Sequence, residues 1–132
     1  MSKIFSLSEA GSIAIHSMIL IAQSNKKLNV QGIAERTQSS RHHIAKVLQR
    51  LVKEGFLKSN RGPRGGFSLN RPPDEINFLD IYESIEGKIK ISDCPMENAI
   101  CPFDSCLFEN VIQDLTQEFI DYLKSRKVSH FL

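Results

Sequence analysis

The feature that most constrains the fold is a pair of predicted helices separated by a tight polar turn. The first covers residues 30–36, and Asn29 can cap it. The second begins after Ser39 or Ser40, either of which could cap it, and ends near Glu54. A short helix, a turn and a longer helix with a polar outer face predict a helix-turn-helix. The apolar residues of the second helix follow the i, i+3, i+4, i+7, i+8 spacing of a single buried face: Ile44, Val47, Leu48, Leu51 and Val52.

A glycine-rich turn follows between two short predicted strands, residues 56–59 and 67–69. The turn contains Arg61 and Arg64 among its glycines, so the segment predicts a two-stranded wing with arginines at its tip. The alternative is a loop that cradles a nucleotide. That alternative is disfavoured, because the turn lacks the lysine–serine pair of a phosphate-binding loop and leads into a hairpin.

Basic residues are concentrated in this part of the chain. Residues 36–71 contain nine Lys or Arg against one acid, whereas the net charge of the whole chain is only +2. Such a segment is typical of nucleic-acid binding, while a merely solvated face would mix the two signs. We therefore expect binding to double-stranded DNA through the start of the second helix and the wing, by Ser40, Arg41, His42, His43, Lys46, Arg50, Arg61 and Arg64.

All three cysteines of the chain, Cys94, Cys101 and Cys106, lie within 13 residues. Pro95 and Pro102 hold the first two on extended or turn backbone. An odd number opposes a complete disulfide set, and the sequence predicts neither a signal peptide nor a membrane-spanning segment. We therefore expect a cytoplasmic protein with reduced cysteines, which suit zinc or an iron–sulfur cluster. Three unrelated buried thiols are the alternative.

The N-terminal helix is predicted over residues 7–23, with Ser6 as its N-cap and Glu9 completing a capping box. Its apolar residues cover more than one face, so it should be buried on several sides. His16 is interpreted as a core histidine with one hydrogen bond, in preference to a metal ligand.

Two more helices complete a fold that is mainly α with a small β wing. One begins after Asn77 and ends at Glu86. The other is a helix of about twenty residues near the C-terminus, with an apolar stripe from Phe108 to Leu123. This stripe packs either on the N-terminal helix or on a second subunit.

Two segments carry a family resemblance: SRHHIAKVLQRLVKEGFLKSNRGPRGGFSL and, further along, FLDIYESIEG. They resemble the winged-helix repressor family that includes the cluster-assembly regulator IscR and the nitric-oxide sensor NsrR. The resemblance implies a winged helix-turn-helix over residues 1–87 (wing 56–69), a cysteine loop over 88–106, and a dimerisation helix with its tail over 107–132, all in one compact domain. It also implies a homodimer that binds a pseudo-palindromic operator.

Cluster-binding members of this family have three cysteines at the position of Cys94, Cys101 and Cys106. The resemblance therefore implies an iron–sulfur cluster, 2Fe–2S or 4Fe–4S. A fourth ligand is still needed, and Glu9 from the partner subunit is slightly favoured over Glu109. The chain departs from the known members here: Glu109 stands where IscR has a histidine, and Ser12 stands where NsrR has an aspartate.

Two functions remain open at this stage. One is a repressor controlled by a cluster that senses redox state, nitric oxide or cluster supply. The other is a cluster-free regulator controlled by a partner protein or structural zinc. No catalytic constellation is visible, so we do not expect an enzyme.

Overall fold

The computed structural model describes residues 7–91 and 102–132. Five α-helices and two antiparallel β-strands lie within these residues, which confirms the mainly α fold with a small wing. In chain order they are α1 (Glu9–Gln23), α2 (Val30–Thr37), α3 (Arg41–Lys53), β1 (Leu57–Asn60), β2 (Gly66–Leu69), α4 (Phe78–Glu86) and α5 (Val111–Ser125).

Side-chain caps set the start of three helices where the sequence predicts them. The Asn29 side chain accepts a hydrogen bond from the backbone N–H of Gly32 (2.8 Å) at the start of α2. Ser40 Oγ accepts one from the N–H of His43 (3.1 Å) at the start of α3. Asn77 caps α4 in the same way. Each cap satisfies an N–H group that the first helical turn leaves without an intrahelical partner.

The predicted cap of α1 is wrong. The helix begins at Glu9, and Ser8 is its N-cap, with Oγ accepting from the N–H of Gly11 (3.0 Å). Ser8 offers the same hydroxyl as Ser6 two residues later, so the helix starts later and Glu9 becomes its first residue. The Glu9 carboxylate is then directed toward α3 instead of closing a capping box.

The core lies between α1, α3 and α4, with the base of the wing and the C-terminal tail closing it. Gly11 allows the ring of Tyr82 to pack directly on α1, since a β-carbon there would stand 2.7 Å from Cε2 of that ring. Fully buried side chains come from each of these parts and from α2: Met18, Ile33, Ile44, Leu48, Leu51, Leu57, Ile76, Ile81 and Val128.

The interpretation of His16 as a core residue is also wrong. His16 lies on the exposed side of α1, where Nδ1–H donates to the backbone carbonyl of Ser12 (2.7 Å). The buried side of α1 is instead formed by Ile13, Ala14, Ser17, Met18 and Ile21.

The C-terminal helix is shorter than predicted. Helix α5 has 15 residues, because Glu109 (φ 50°) and Asn110 (φ 68°) adopt left-handed backbone conformations just before it. Its C-terminal end is anchored by buried Leu123, while the tail pairs with the segment before α4: the N–H of Val128 donates to the carbonyl of Ile76 (2.9 Å).

Within the described ranges, none of the helices combines the length and hydropathy needed to cross a membrane.

Candidate nucleic-acid interface

Helix α3 presents three distinct surfaces. Its core face buries Ile44, Val47, Leu48 and Leu51. The opposite face is exposed to solvent along the whole helix and consists of His42, Lys46, Gln49 and Lys53. With Ser40 at its cap and Arg41 in its first turn, the start of α3 has the shape and charge of a helix that enters the major groove.

The wing is a regular antiparallel hairpin. Leu57 pairs with Leu69, and Asn60 pairs with Gly66 at the tip. Arg61 and Arg64 lie in the intervening turn and are exposed, and neither forms an ion pair with an acidic residue of the described chain. Both guanidinium groups are therefore available to a phosphate or a minor groove.

Gly66 fixes the wing to the body of the protein. The N–H of Phe67 donates to the carbonyl of Leu28 (2.8 Å), which forms an isolated antiparallel β-bridge beside the two-stranded sheet. Gly66 has φ 153°, and a β-carbon there would stand 2.6 Å from the carbonyl oxygen of Leu28. The sequence predicts a turn at this glycine but gives no sign that it packs against residue 28.

An open depression of about 600 Å³ separates α3 from the wing. The start of α2 contributes Asn29 and Gln31 to it, while α3 contributes Arg41 and His42. Asn60 lines it from the wing side. Sequence reasoning missed Gln31 and Asn60, although the position of Gln31 two residues after a predicted helix cap was a usable signal.

The third surface of α3 faces the rest of the protein, and we call it the body-facing flank. It contains His43 and Arg50, which are two helical turns apart. His43 Nδ1 lies 3.6 Å from Glu9 Oε1 of α1. Arg50 Nε–H donates to the backbone carbonyl of Ser84 in α4 (3.1 Å). Both were expected to contact DNA, and the structure engages both with other helices.

Arg71 is engaged by the fold as well. Its guanidinium carbon lies 4.4 Å from the centre of the Phe56 ring, and Nη2 donates to the carbonyl of Glu54 (3.1 Å) at the end of α3. The basic charge counted along residues 36–71 therefore serves two purposes, because Arg50 and Arg71 stabilise the protein while the wing arginines remain free.

Cys94 and Cys101 lie outside the described residues. Cys106 is partly exposed in the turn before α5. Hydrogen bonds from the backbone N–H groups of Asn110 and Phe108 lower the pKa of the Cys106 thiol, and they outweigh the opposing effects of partial burial and the nearby Glu109 carboxylate. Since thiolate is the form that binds metal, this setting fits a ligand to iron or zinc.

The candidate fourth ligands lie on different elements. Glu109 is exposed and lies two residues before the start of α5. Glu9 has 74% of its side chain exposed, and with Ser12 and His16 it lines an open groove of about 840 Å³ along α1. Among residues 7–91 and 102–132, no three His, Cys, Asp or Glu side chains are grouped to hold a metal ion.

Comparison with known sequences places these features in a family. The sequence profile of Rrf2, described as an iron-dependent transcriptional regulator, matches residues 7–132. The HTH-type regulator YffB of Lactococcus lactis is 32% identical over 87 residues, covering 64% of this chain and 56% of its own length. The chain thus spans just over half of that relative. The HTH-type regulator NsrR of Bacillus licheniformis is 25% identical over 114 residues, covering 85% of this chain and 80% of its own length.

Solved structures share the same fold. CymR, titled the global cysteine regulator of B. subtilis, superposes with a TM-score of 0.75 at 23% identity, covering 96% of this chain and 95% of its own. The T. potens IscR structure superposes with a TM-score of 0.74 at 26% identity, covering 96% of this chain and 85% of its own. The family profile extends across the helix-turn-helix, the wing and α5, and the chain belongs to the Rrf2 family of transcriptional regulators.

Proposed function

We propose that this protein is a homodimeric repressor whose operator affinity is controlled by an iron–sulfur cluster, 2Fe–2S or 4Fe–4S. Cys94, Cys101 and Cys106 would supply three thiolates. The observation that carries this proposal is the grouping of all three cysteines within residues 94–106, with Cys106 in the turn just before α5. The iron-dependent description of the family and the resemblance to NsrR and IscR support it.

DNA recognition in this proposal combines a helix and a wing. The cap and first turn of α3 would meet base edges in the major groove through Ser40, Arg41 and His42, with Lys46 behind them. Arg61 and Arg64 would contact phosphates or a narrow minor groove, where the negative potential attracts arginine. Residues 1–87 would then be the DNA-binding region.

The dimer would form through residues 107–132. The apolar residues along α5 and the turn before it remain exposed in the single chain, which is unusual for side chains of this size. A second copy crossing α5 would cover them and would place two recognition helices on a pseudo-palindrome, with half-sites about one helical turn apart. The exposed set within the described residues is Phe103, Leu107, Phe108, Val111, Leu115 and Tyr122.

The fourth cluster ligand would be Glu9 of the partner subunit, with Glu109 as the alternative. When bound, the cluster supplies iron positions that a carboxylate can complete. The Glu9 carboxylate now lies 3.6 Å from His43 Nδ1 in the first turn of α3. Ligation would withdraw it from His43, so the occupancy of the cysteine loop would change the surroundings of the recognition helix.

Anaerobic purification tests the proposal directly. We expect a brown protein that contains iron and sulfide, and removal of the cluster should lower operator affinity about tenfold or more, within the usual range of coupling between two sites. Cys106→Ala should abolish cluster binding, whereas Ser105→Ala, next to it, should retain it. If cluster loss leaves operator affinity unchanged, the proposed switch is wrong.

The ligand assignment has its own test. Glu9→Ala and Glu109→Ala would be reconstituted side by side, and the variant that loses the ligand should show an altered cluster spectrum. If both spectra match the parent, neither glutamate is the fourth ligand.

A second candidate is a cluster-free regulator controlled by a partner protein or structural zinc. The same fold occurs in a structure titled a global cysteine regulator, so the fold alone does not specify an iron–sulfur signal. A colourless protein that contains zinc or no metal after anaerobic purification would favour this second function.

A further inference from the structure

Arg50 joins the recognition helix to the end of α4. Its Nε–H donates to the carbonyl of Ser84 (3.1 Å), and the same nitrogen lies 3.4 Å from Glu54 Oε1, one turn further along α3. Ser84 lies in the last turn of α4, where carbonyl groups lack an intrahelical donor. Arg50 therefore supplies a hydrogen bond that α4 cannot make within itself.

The charge at this helix end strengthens the interaction. The C-terminus of a helix carries partial negative charge and is stabilised by cations. The last turn of α4 contains no basic residue and instead has Glu83 and Glu86. The guanidinium of Arg50 is thus the cation that this end of α4 lacks in its own sequence.

The same end of α4 also holds the chain that continues toward the cysteines. Glu83 Oε2 accepts a hydrogen bond from the backbone N–H of Ile89 (3.0 Å), two residues after the helix stop at Gly87. One turn of α4 therefore contacts the recognition helix through the Ser84 carbonyl and the outgoing segment through the Glu83 carboxylate.

We propose that Arg50 is a positioning residue that fixes the recognition helix to α4, so that a displacement of the segment after α4 reaches the DNA-reading surface through Arg50. It acts on operator affinity through the placement of α3 and not by binding a phosphate. This inference rests on the proposed function for operator binding only, and it holds whether the signal is a cluster, zinc or a partner protein.

The first experiment separates positioning from phosphate contact. The full-length protein, as purified anaerobically, would be titrated with an operator selected from random-sequence DNA, at several salt concentrations. Arg50→Met and Arg50→Lys should each weaken binding about 3- to 10-fold, since Met has no donor and the Lys ammonium lies one atom beyond the position of Nε. The slope of log affinity against log salt should equal that of the parent, because no counterion release is lost.

Two controls bracket this result. Arg64→Ala should lower the magnitude of the slope by about 0.9, the value for one phosphate contact. Lys124→Gln removes an exposed charge from α5, which is not proposed to touch DNA, and should leave the slope unchanged. If Arg50→Met reduces the slope as Arg64→Ala does, or leaves affinity unchanged, the proposal is wrong.

The second experiment tests the route through α4 with a double-mutant cycle. Glu83→Ala removes the acceptor for the Ile89 N–H and should change operator affinity several-fold when Arg50 is present. In the Arg50→Met background the same substitution should have little effect. Additive effects of the two substitutions would overturn the route.

Far-UV circular dichroism and thermal unfolding would confirm that each variant is folded. Cluster removal from the parent, measured separately, reports on the cluster hypothesis alone.

Discussion

The apolar side chains of residues 28–69 are largely covered within the single chain, whereas residues 102–125 leave much of their apolar surface exposed. In the first region, which we call the reading half, helix caps, a hairpin and the bridge from Phe67 to Leu28 satisfy the backbone locally. In the second region, Phe103, Leu107 and Leu115 are about half or more exposed. The difference fits the proposed dimer, in which a second copy covers α5 while the reading half is complete in one chain.

The largest expected effect comes from disrupting the face of α5. Leu115→Arg places a charge where the proposed second copy would pack, so the dimer should dissociate. Operator affinity should then fall about 100-fold, because the two half-sites are no longer bound as one unit. Light scattering after size exclusion would report the mass. Glu118→Arg introduces the same side chain at an exposed polar position and should remain dimeric; a dimeric Leu115→Arg protein would remove α5 from the interface.

The next effect concerns the contact between the wing and Leu28 in the reading half. Gly66→Ala forces a β-carbon against the Leu28 carbonyl and should lower the free energy of unfolding by about 2–3 kcal/mol. Gly62→Ala is the matched control, because it also has positive φ (108°) but meets nothing within 4 Å, so it should cost only about 1 kcal/mol. Chemical denaturation measures both. Equal losses would mean that contact with Leu28 is not what requires glycine at position 66.

A smaller effect should distinguish the two uses of arginine in the basic segment of residues 36–71. Arg64→Ala should weaken operator binding about tenfold and flatten its salt dependence. Arg71→Ala should instead lower stability by about 1 kcal/mol through the lost contact with Phe56, with the salt slope unchanged. Parallel measurements of unfolding and operator binding would separate them, and a flattened slope for Arg71→Ala would assign it to the interface.

The smallest effect is expected at the cap of α2. Asn29→Ala removes the acceptor for the Gly32 N–H and should cost about 1 kcal/mol of unfolding free energy. Asn25→Ala, at a nearby exposed position that caps no helix, should be close to neutral. A neutral Asn29→Ala would show that α2 is held by packing alone.

Local chemistry explains what could be predicted from the sequence. The caps at Asn29, Ser40 and Asn77 depend on residues at most three positions away, and the stripe on α3 follows from helix periodicity. The misplaced cap of α1 has the same local origin, because Ser6 and Ser8 are equivalent by residue type. Family membership, likewise carried by contiguous motifs, confirms a transcriptional regulator and not an enzyme.

The features that could not be predicted depend on contacts between segments that are distant in the sequence. In the sequence, nothing distinguishes Arg50 and Arg71 from the arginines of the wing. Their contacts with α4 and Phe56 form only in the folded protein. The requirement for glycine at position 66 comes from Leu28, which is remote in sequence. Residues Cys94 and Cys101 lie outside the described ranges, so the cluster ligands remain predictions.

Because α5 is buried near its C-terminal end, a small tilt of the helix produces a larger displacement at its start. Leu123 is buried near its C-terminal end, whereas Val111 at the other end is exposed. Twelve residues of helix separate these two points, a distance of about 18 Å. A tilt of about 10° around Leu123 would therefore move the start of α5 by about 3 Å, an amplitude fixed by helix geometry alone. Cys106 lies five residues before that exposed end, so small tilts of α5 would be magnified at the thiol.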